Sequence, residues 1–103
     1  MKTIAKRILF YSPKGSSIRK RFVIRIGYPY VVDQTMVDFS IGAEGLVGCH
    51  IETEGLEQEY QDEAYGVDEM QAINIASNIE PYLMRLRKKY DLFFESGEPY
   101  FEE

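Results

Sequence analysis

Opposite charges occupy separate stretches of this chain, and that limits how it can fold. Residues 1–32 hold eight Lys/Arg (Lys2, Lys6, Arg7, Lys14, Arg19, Lys20, Arg21 and Arg25) and no acid. Residues 33–84 hold twelve Asp/Glu and no Lys/Arg. The densest acidic part runs from Glu52 to Glu63 and contains six of those acids. Such sorting governs how the two halves meet each other, or how the surface meets a partner. Opposite charges facing each other across neighbouring strands contribute about 0.2–1 kcal/mol per pair. A fold that lays the first stretch beside the second is therefore favoured.

The local patterns say which elements those stretches form. Thr3 to Tyr11 alternates, with Ile4, Lys6, Ile8 and Phe10 on one side and Ala5, Arg7, Leu9 and Tyr11 on the other. That is the period of a strand. Ser12-Pro13-Lys14-Gly15-Ser16 reads as a turn. Ile18 to Ile26 reads as a second strand, with Ile18, Phe22, Ile24 and Ile26 on one face and Arg19, Arg21, Val23 and Arg25 on the other. Together they predict a hairpin with one apolar side and one basic side. Gly27-Tyr28-Pro29-Tyr30 interrupts it, because Pro29 cannot donate a ladder hydrogen bond.

Further strands are expected near Met36–Ile41, Leu46–Thr53 and Gln58–Tyr65, with a hairpin loop at Gly42-Ala43-Glu44-Gly45. The strand at Gln58–Tyr65 is poor in apolar residues and rich in acids, which suits a sheet edge. A helix is predicted from about Glu69 to Tyr90. Asp68 is a good N-cap, Gln71 completes a capping-box pattern, and Val67 is placed to staple against Ala72. Met70, Ile73, Ala76, Ile79, Leu83, Leu86 and Tyr90 recur at helical spacing. Pro81 clashes with the carbonyl of Ser77, so a kink or break is expected near Asn78–Pro81. The aromatic tail Leu92–Phe101 is expected to dock on the body.

These elements predict one α+β domain over residues 1–103. It has an antiparallel sheet of four or five strands, one long C-terminal helix packed on one face, and the hairpin's cations on the other. The 45% apolar and 28% charged composition is that of an ordinary globular protein, so disorder is not expected. The lone Cys49 permits no internal disulfide, and the start lacks a signal peptide's apolar stretch. Both favour the cytoplasm. A net charge of −5 disfavours general affinity for nucleic acid and for anionic membranes.

Chemistry-bearing motifs are sparse. His50 adjoins Cys49, but neighbours on a strand point to opposite faces, so a thiolate–imidazole pair is not expected. Cys49 reads as a core residue and His50 as a surface one. The run from Glu52 to Glu59 lacks the spacing of a helix–loop–helix calcium site. There is no phosphate-binding glycine loop and no nucleophile elbow. No metal, cofactor or catalytic residue is assigned.

The leading expectation is a binding surface made by Glu52, Glu54, Glu57, Glu59, Asp62 and Glu63, with Tyr60 and Tyr65 as aromatic anchors. The alternatives are a nucleic-acid-binding module using Arg19, Lys20, Arg21 and Arg25, a small enzyme, and a homodimer pairing one chain's basic hairpin with another's acidic segment.

Several short motifs add a resemblance. They are Ile4-Ala5-Lys6-Arg7, Ile26-Gly27-Tyr28-Pro29, Tyr65-Gly66-Val67-Asp68-Glu69-Met70-Gln71-Ala72, Asp91-Leu92-Phe93-Phe94 and Gly97-Glu98-Pro99-Tyr100-Phe101. In these and in the order of its elements, the chain resembles a family of small bacterial proteins of similar length known as an uncharacterised domain. The resemblance spans most of the chain and transfers no catalytic residues. Some proteins of this kind are encoded beside polymorphic or contact-dependent toxins and are regarded as their immunity proteins. It implies a cytoplasmic inhibitor whose partner is a basic toxin domain.

Overall fold

The computed structural model describes residues 1–32 and 46–101. Along them run β1 (Thr3–Pro13), β2 (Lys20–Gly27), β3 (Tyr30–Val31), β4 (Val47–Glu54), β5 (Gln61–Gly66), α1 (Glu69–Ser77), α2 (Glu80–Leu86) and β6 (Tyr90–Phe93). The fold is α+β, and among the described residues the strands form one antiparallel sheet. The strand expected at Met36–Ile41 and the loop expected at Gly42–Gly45 lie outside the described residues.

Strand β4 organises the sheet. Glu52 pairs with both Arg25 and Gln61, and Gly48 with both Tyr30 and Tyr65. A strand has two edges, so β2 and β3 share one edge of β4 and β5 takes the other. β1 pairs with β2, and β6 pairs with the far edge of β1. The order across the sheet is therefore β5, β4, β2, β1, β6, with β3 continuing the line of β2. The chain leaves the sheet at one edge and returns at the other, and α1 and α2 carry it across one face.

The register settles which side of each strand is core. Leu9 lies opposite Phe22, Ile24 opposite Thr53, and Ile26 opposite Ile51. These residues are buried with Cys49, Ala64, Ala72, Ala76, Leu83 and Leu92. Tyr11 joins them, and its hydroxyl donates to the Gly55 carbonyl at 2.9 Å. A buried tyrosine needs such a partner for its polar end.

The hairpin does not divide into an apolar and a basic side. Arg7, opposite Ile24, lies on the helix side and reaches the Tyr100 hydroxyl at 3.0 Å and Glu80 at 3.9 Å. Ile8, Phe10 and Val23 share the second face with Lys6, Arg21 and Arg25. Both sides of β1 are amphipathic, and the pairing of Leu9 with Phe22 chooses between them.

The predicted helix begins where expected. Asp68 accepts the Gln71 N–H at 2.8 Å, and the Gln71 side chain accepts the Val67 N–H at 2.6 Å. The cap therefore closes one residue earlier than the reciprocal bond of an ordinary capping box. Its apolar stripe is differently phased. Ala72 and Ala76 are buried, whereas Met70 is 82% exposed and Val67 is 69% exposed, too open for a staple. The cause is the close approach of α1 to β5. A Cβ on Gly66 would lie 2.6 Å from the Ala72 nitrogen. With Ala72 against the sheet, Met70 is about 200° around the helix and points outward.

The expected single helix is broken at Asn78–Ile79, and Pro81 falls in the first turn of α2. A missing N–H is harmless there, because first-turn donors have no intrahelical partner. Tyr90 is not helical. It starts β6, opposite Pro13. The tail docks as expected, with the Tyr100 N–H donating to the Leu92 carbonyl at 2.8 Å and Phe101 edge-on to Tyr100. No helix among the described residues is long and apolar enough to cross a membrane.

The contact of Gly66 with α1 generates a direct expectation. Gly66→Ala places a methyl against backbone that cannot move without displacing α1, and should lower unfolding stability by about 1–3 kcal/mol. Urea titration of the two proteins measures it, and an unchanged midpoint would contradict the packing described.

Candidate functional site

Alternation along β4 sends its side chains to two different environments. Cys49, Ile51 and Thr53 enter the core, while His50, Glu52 and Glu54 project to the face away from the helices. Cys49 and His50 therefore do not meet. The Cys49 thiol donates to the Gly27 carbonyl at 3.2 Å. Burial foremost, and then the charge of Glu63, pushes the thiol's pKa up. It is held as a thiol, the unreactive form.

His50, expected at the surface, is only partly exposed. It is half-buried between two carboxylates, with Nδ1 against Glu63 and Nε2 3.4 Å from Glu52. The pairing of His50 with Glu63 across β4 and β5 brings them together. The other oxygen of Glu63 accepts the Tyr30 hydroxyl. Tyr30 reaches it by lying across Gly48, where a Cβ would stand 2.5 Å from the Tyr30 ring. On the other side of His50 the line continues, with Glu52 3.9 Å and Glu54 2.6 Å from the Arg25 guanidinium. Tyr30, Glu63, His50, Glu52, Arg25 and Glu54 thus form one polar line over β3, β5, β4 and β2. Desolvation, reinforced by the hydrogen bond to Glu63, raises the Tyr30 pKa well above that of an ordinary tyrosine.

The remaining acids lie in and beyond the β4–β5 loop. Gly55 has φ +106, and a Cβ there would stand 2.6 Å from the Arg21 carbonyl oxygen, so the turn depends on glycine. Leu56 is buried, while Glu57, Gln58 and Glu59 are exposed. The Tyr90 hydroxyl donates to Glu57 at 2.8 Å, and Glu59 accepts the Gly55 N–H at 3.4 Å. Tyr60 stacks on Tyr82 with ring centres 4.2 Å apart and donates its hydroxyl to Asp62 at 2.9 Å.

The residues picked from the sequence therefore fall into two groups. Glu52 and Glu63 are half-buried within the polar line, and Tyr65 is half-buried opposite Gly48 on the same face. Glu57, Glu59 and Asp62 are exposed around the loop with Tyr60 beside them, and exposed Glu54 joins the two groups through Arg25. Tyr30, His50 and Arg25 on one face, and Tyr82, Arg85 and Tyr90 on the other, are additional members that sequence reasoning missed. The alternation of His50, Glu52 and Glu54 was a usable signal for the first set. The second depends on α2 crossing above the loop, which no local pattern encodes.

Several cations of the basic hairpin have partners within the fold. Arg25 is held by Glu52 and Glu54, Lys14 by Asp91 at 3.3 Å, and Arg7 by Glu80. Arg19 sits 3.6 Å above the Phe93 ring and donates to the Gly97 carbonyl. Among the described residues no cluster of three or more His, Cys, Asp or Glu is arranged to hold a metal ion.

The raised Tyr30 pKa carries a signed prediction. A tyrosine whose pKa is higher folded than unfolded stabilises fully below the unfolded value, 10.0, and that stability is lost as pH rises toward the folded value. At neutral pH, Tyr30→Phe should cost about 1 kcal/mol, below the range of a buried bond to a charged group because the site is half-exposed. Above pH 10.0 the gap between the two proteins should narrow. Urea unfolding across this range tests it, and a gap independent of pH would contradict it.

Compared with known proteins, the chain matches no family model, no curated protein and no solved structure.

Proposed function

We propose that this chain is a non-catalytic binding protein, an immunity protein that neutralises a basic bacterial toxin domain by occlusion. The observation that carries the reading is the exposure of Glu57, Glu59 and Asp62 around one loop, with the stacked pair Tyr60 and Tyr82 beside them. Acids grouped on a loop steer a basic partner, and steered association reaches about 10⁸–10⁹ M⁻¹s⁻¹ at low salt. Stacked tyrosines supply broad contact area with little conformational freedom left to lose. The active face of a nuclease toxin is basic because it holds phosphates, and this acidic loop is its electrostatic complement. Glu52, Glu54 and Glu63 contribute through the field they add, since their carboxylates are engaged within the fold. The immunity role itself rests on the resemblance of its short motifs to a family of small bacterial proteins, some of which are regarded as immunity proteins.

The reading without turnover also has chemical support. The one thiol is buried in the core, which disfavours its reactive thiolate form. The internal partners of Arg7, Lys14, Arg19 and Arg25 favour a structural role for the basic hairpin over a nucleic-acid site.

Capture from the native host with the tagged protein provides the test. Recovery of a toxin domain with a basic surface is expected, together with inhibition of its activity. Both should fall by about 100-fold or more when Glu57, Glu59 and Asp62 are reversed to lysine, since close charge pairs at interfaces couple by several kcal/mol. Capture and inhibition that survive the reversal would remove the acidic loop from the mechanism.

A further inference from the structure

A cleft of about 360 Å³ lies between the β4–β5 loop and α2. Its volume is within the range of small-molecule sites, roughly 300–1,000 Å³. Leu56, Leu86 and the rings of Tyr82 and Tyr90 give it an apolar lining. Arg85 in the last turn of α2, Lys89 in the turn that follows, Glu59 and Tyr60 complete the lining.

The acid and the cations of the cleft differ in what they already do. Glu59 accepts the Gly55 N–H, and neighbouring Glu57 accepts the Tyr90 hydroxyl. Arg85 leans over the Tyr82 ring, its guanidinium carbon 5.6 Å from the centre, and lies close enough to the Tyr60 hydroxyl to offset part of that group's raised pKa. Neither Arg85 nor Lys89 has a carboxylate within ion-pair distance among the described residues. By contrast, Arg7, Lys14 and Arg25 do have one. The tyrosines of the cleft add no negative charge. Tyr60 and Tyr82, through desolvation first, and Tyr90, through its bond to Glu57 first, all have raised pKa values.

We infer that this cleft is a binding site for a small organic monoanion with a flat apolar body. The body would lie on Leu56, Leu86 and the tyrosine rings, and the anionic group would meet Arg85 and Lys89. Glu59 also lines the cleft and disfavours a second negative charge there, which makes the preference one for monoanions. The cleft shares Glu59, Tyr60 and Tyr82 with the proposed toxin-facing surface, but its cations lie on α2 and the following turn and its ligand bears the opposite charge to a basic toxin face.

Cinnamate is a suitable probe, with cinnamylamine as a control of similar body and opposite charge. Amide shifts of the full chain are followed by nuclear magnetic resonance as each is added. Cinnamate should produce saturable shifts centred on Leu56–Tyr60 and Tyr82–Tyr90, and cinnamylamine should not. Arg85→Gln with Lys89→Gln should weaken cinnamate at least ~10-fold, the equivalent of one lost charge-assisted contact. Both residues are exposed, so the double variant should fold, and the cinnamylamine comparison needs no variant. Absence of saturable shifts, equal response to cinnamylamine, or undiminished binding by the double variant would each overturn the inference. Its failure leaves the charge-reversal test on the acidic loop untouched.

Discussion

The register of β2 against β4 determines where the charges of this protein go. With Ile26 opposite Ile51 and Arg25 opposite Glu52, apolar residues of both strands face the helices while Arg25 falls among the glutamates of β4. A slip of one residue would reverse every side chain on one strand, burying Arg25 and exposing Ile24 and Ile26. Hydrophobic burial therefore selects the register, at about 25 cal/mol for each Å² removed from water. The ion pairs follow from it. Half-exposed pairs contribute on the order of 1 kcal/mol or less, too little to set the register alone.

From that seam the site is built outward. Strand β4 presents a core side and a polar side, and β5 on its other edge adds Glu63 opposite His50. Tyr30 covers the glycine at position 48 and completes the polar line. Beyond the end of β4, the turn at Gly55 folds back over β2, so that Tyr11 can hold the loop by its carbonyl. The acidic loop is thus fixed at both ends, with Leu56 as a plug between. Preorganisation of this kind lowers the ordering cost of binding a partner.

Much of this was legible in the sequence, and the exceptions have physical causes. The hairpin, the strand at Val47–Glu54, the cap at Asp68 and the break before Pro81 each rest on a local signal, and each is present. Strand β6 was hidden because Tyr90–Phe93 is too short to show a period, and Tyr90 also fits the helical stripe. Met70 misled because side-chain hydropathy outvoted the close approach that Gly66 permits. The core side of β1 was ambiguous, since Ile8 and Phe10 are as apolar as Leu9 and Tyr11. The acids of 52–63 looked like one surface, whereas strand alternation divides Glu52 and Glu63 from Glu57 and Glu59. His50 could not be placed beside Glu63, thirteen residues away, without the pairing of β4 and β5.

The sorted charges are consumed partly inside the fold, at the β2–β4 seam, while Glu57, Glu59 and Asp62 of the acidic loop have no ion-pair partner among the described residues. A double-mutant cycle between Arg25 and Glu54 measures this most directly, using Arg25→Met and Glu54→Gln in urea unfolding. The 2.6 Å contact leads to an expected coupling of about 0.5–1 kcal/mol, decreasing with added salt. Additivity of the two substitutions, at low and at high salt alike, would contradict it.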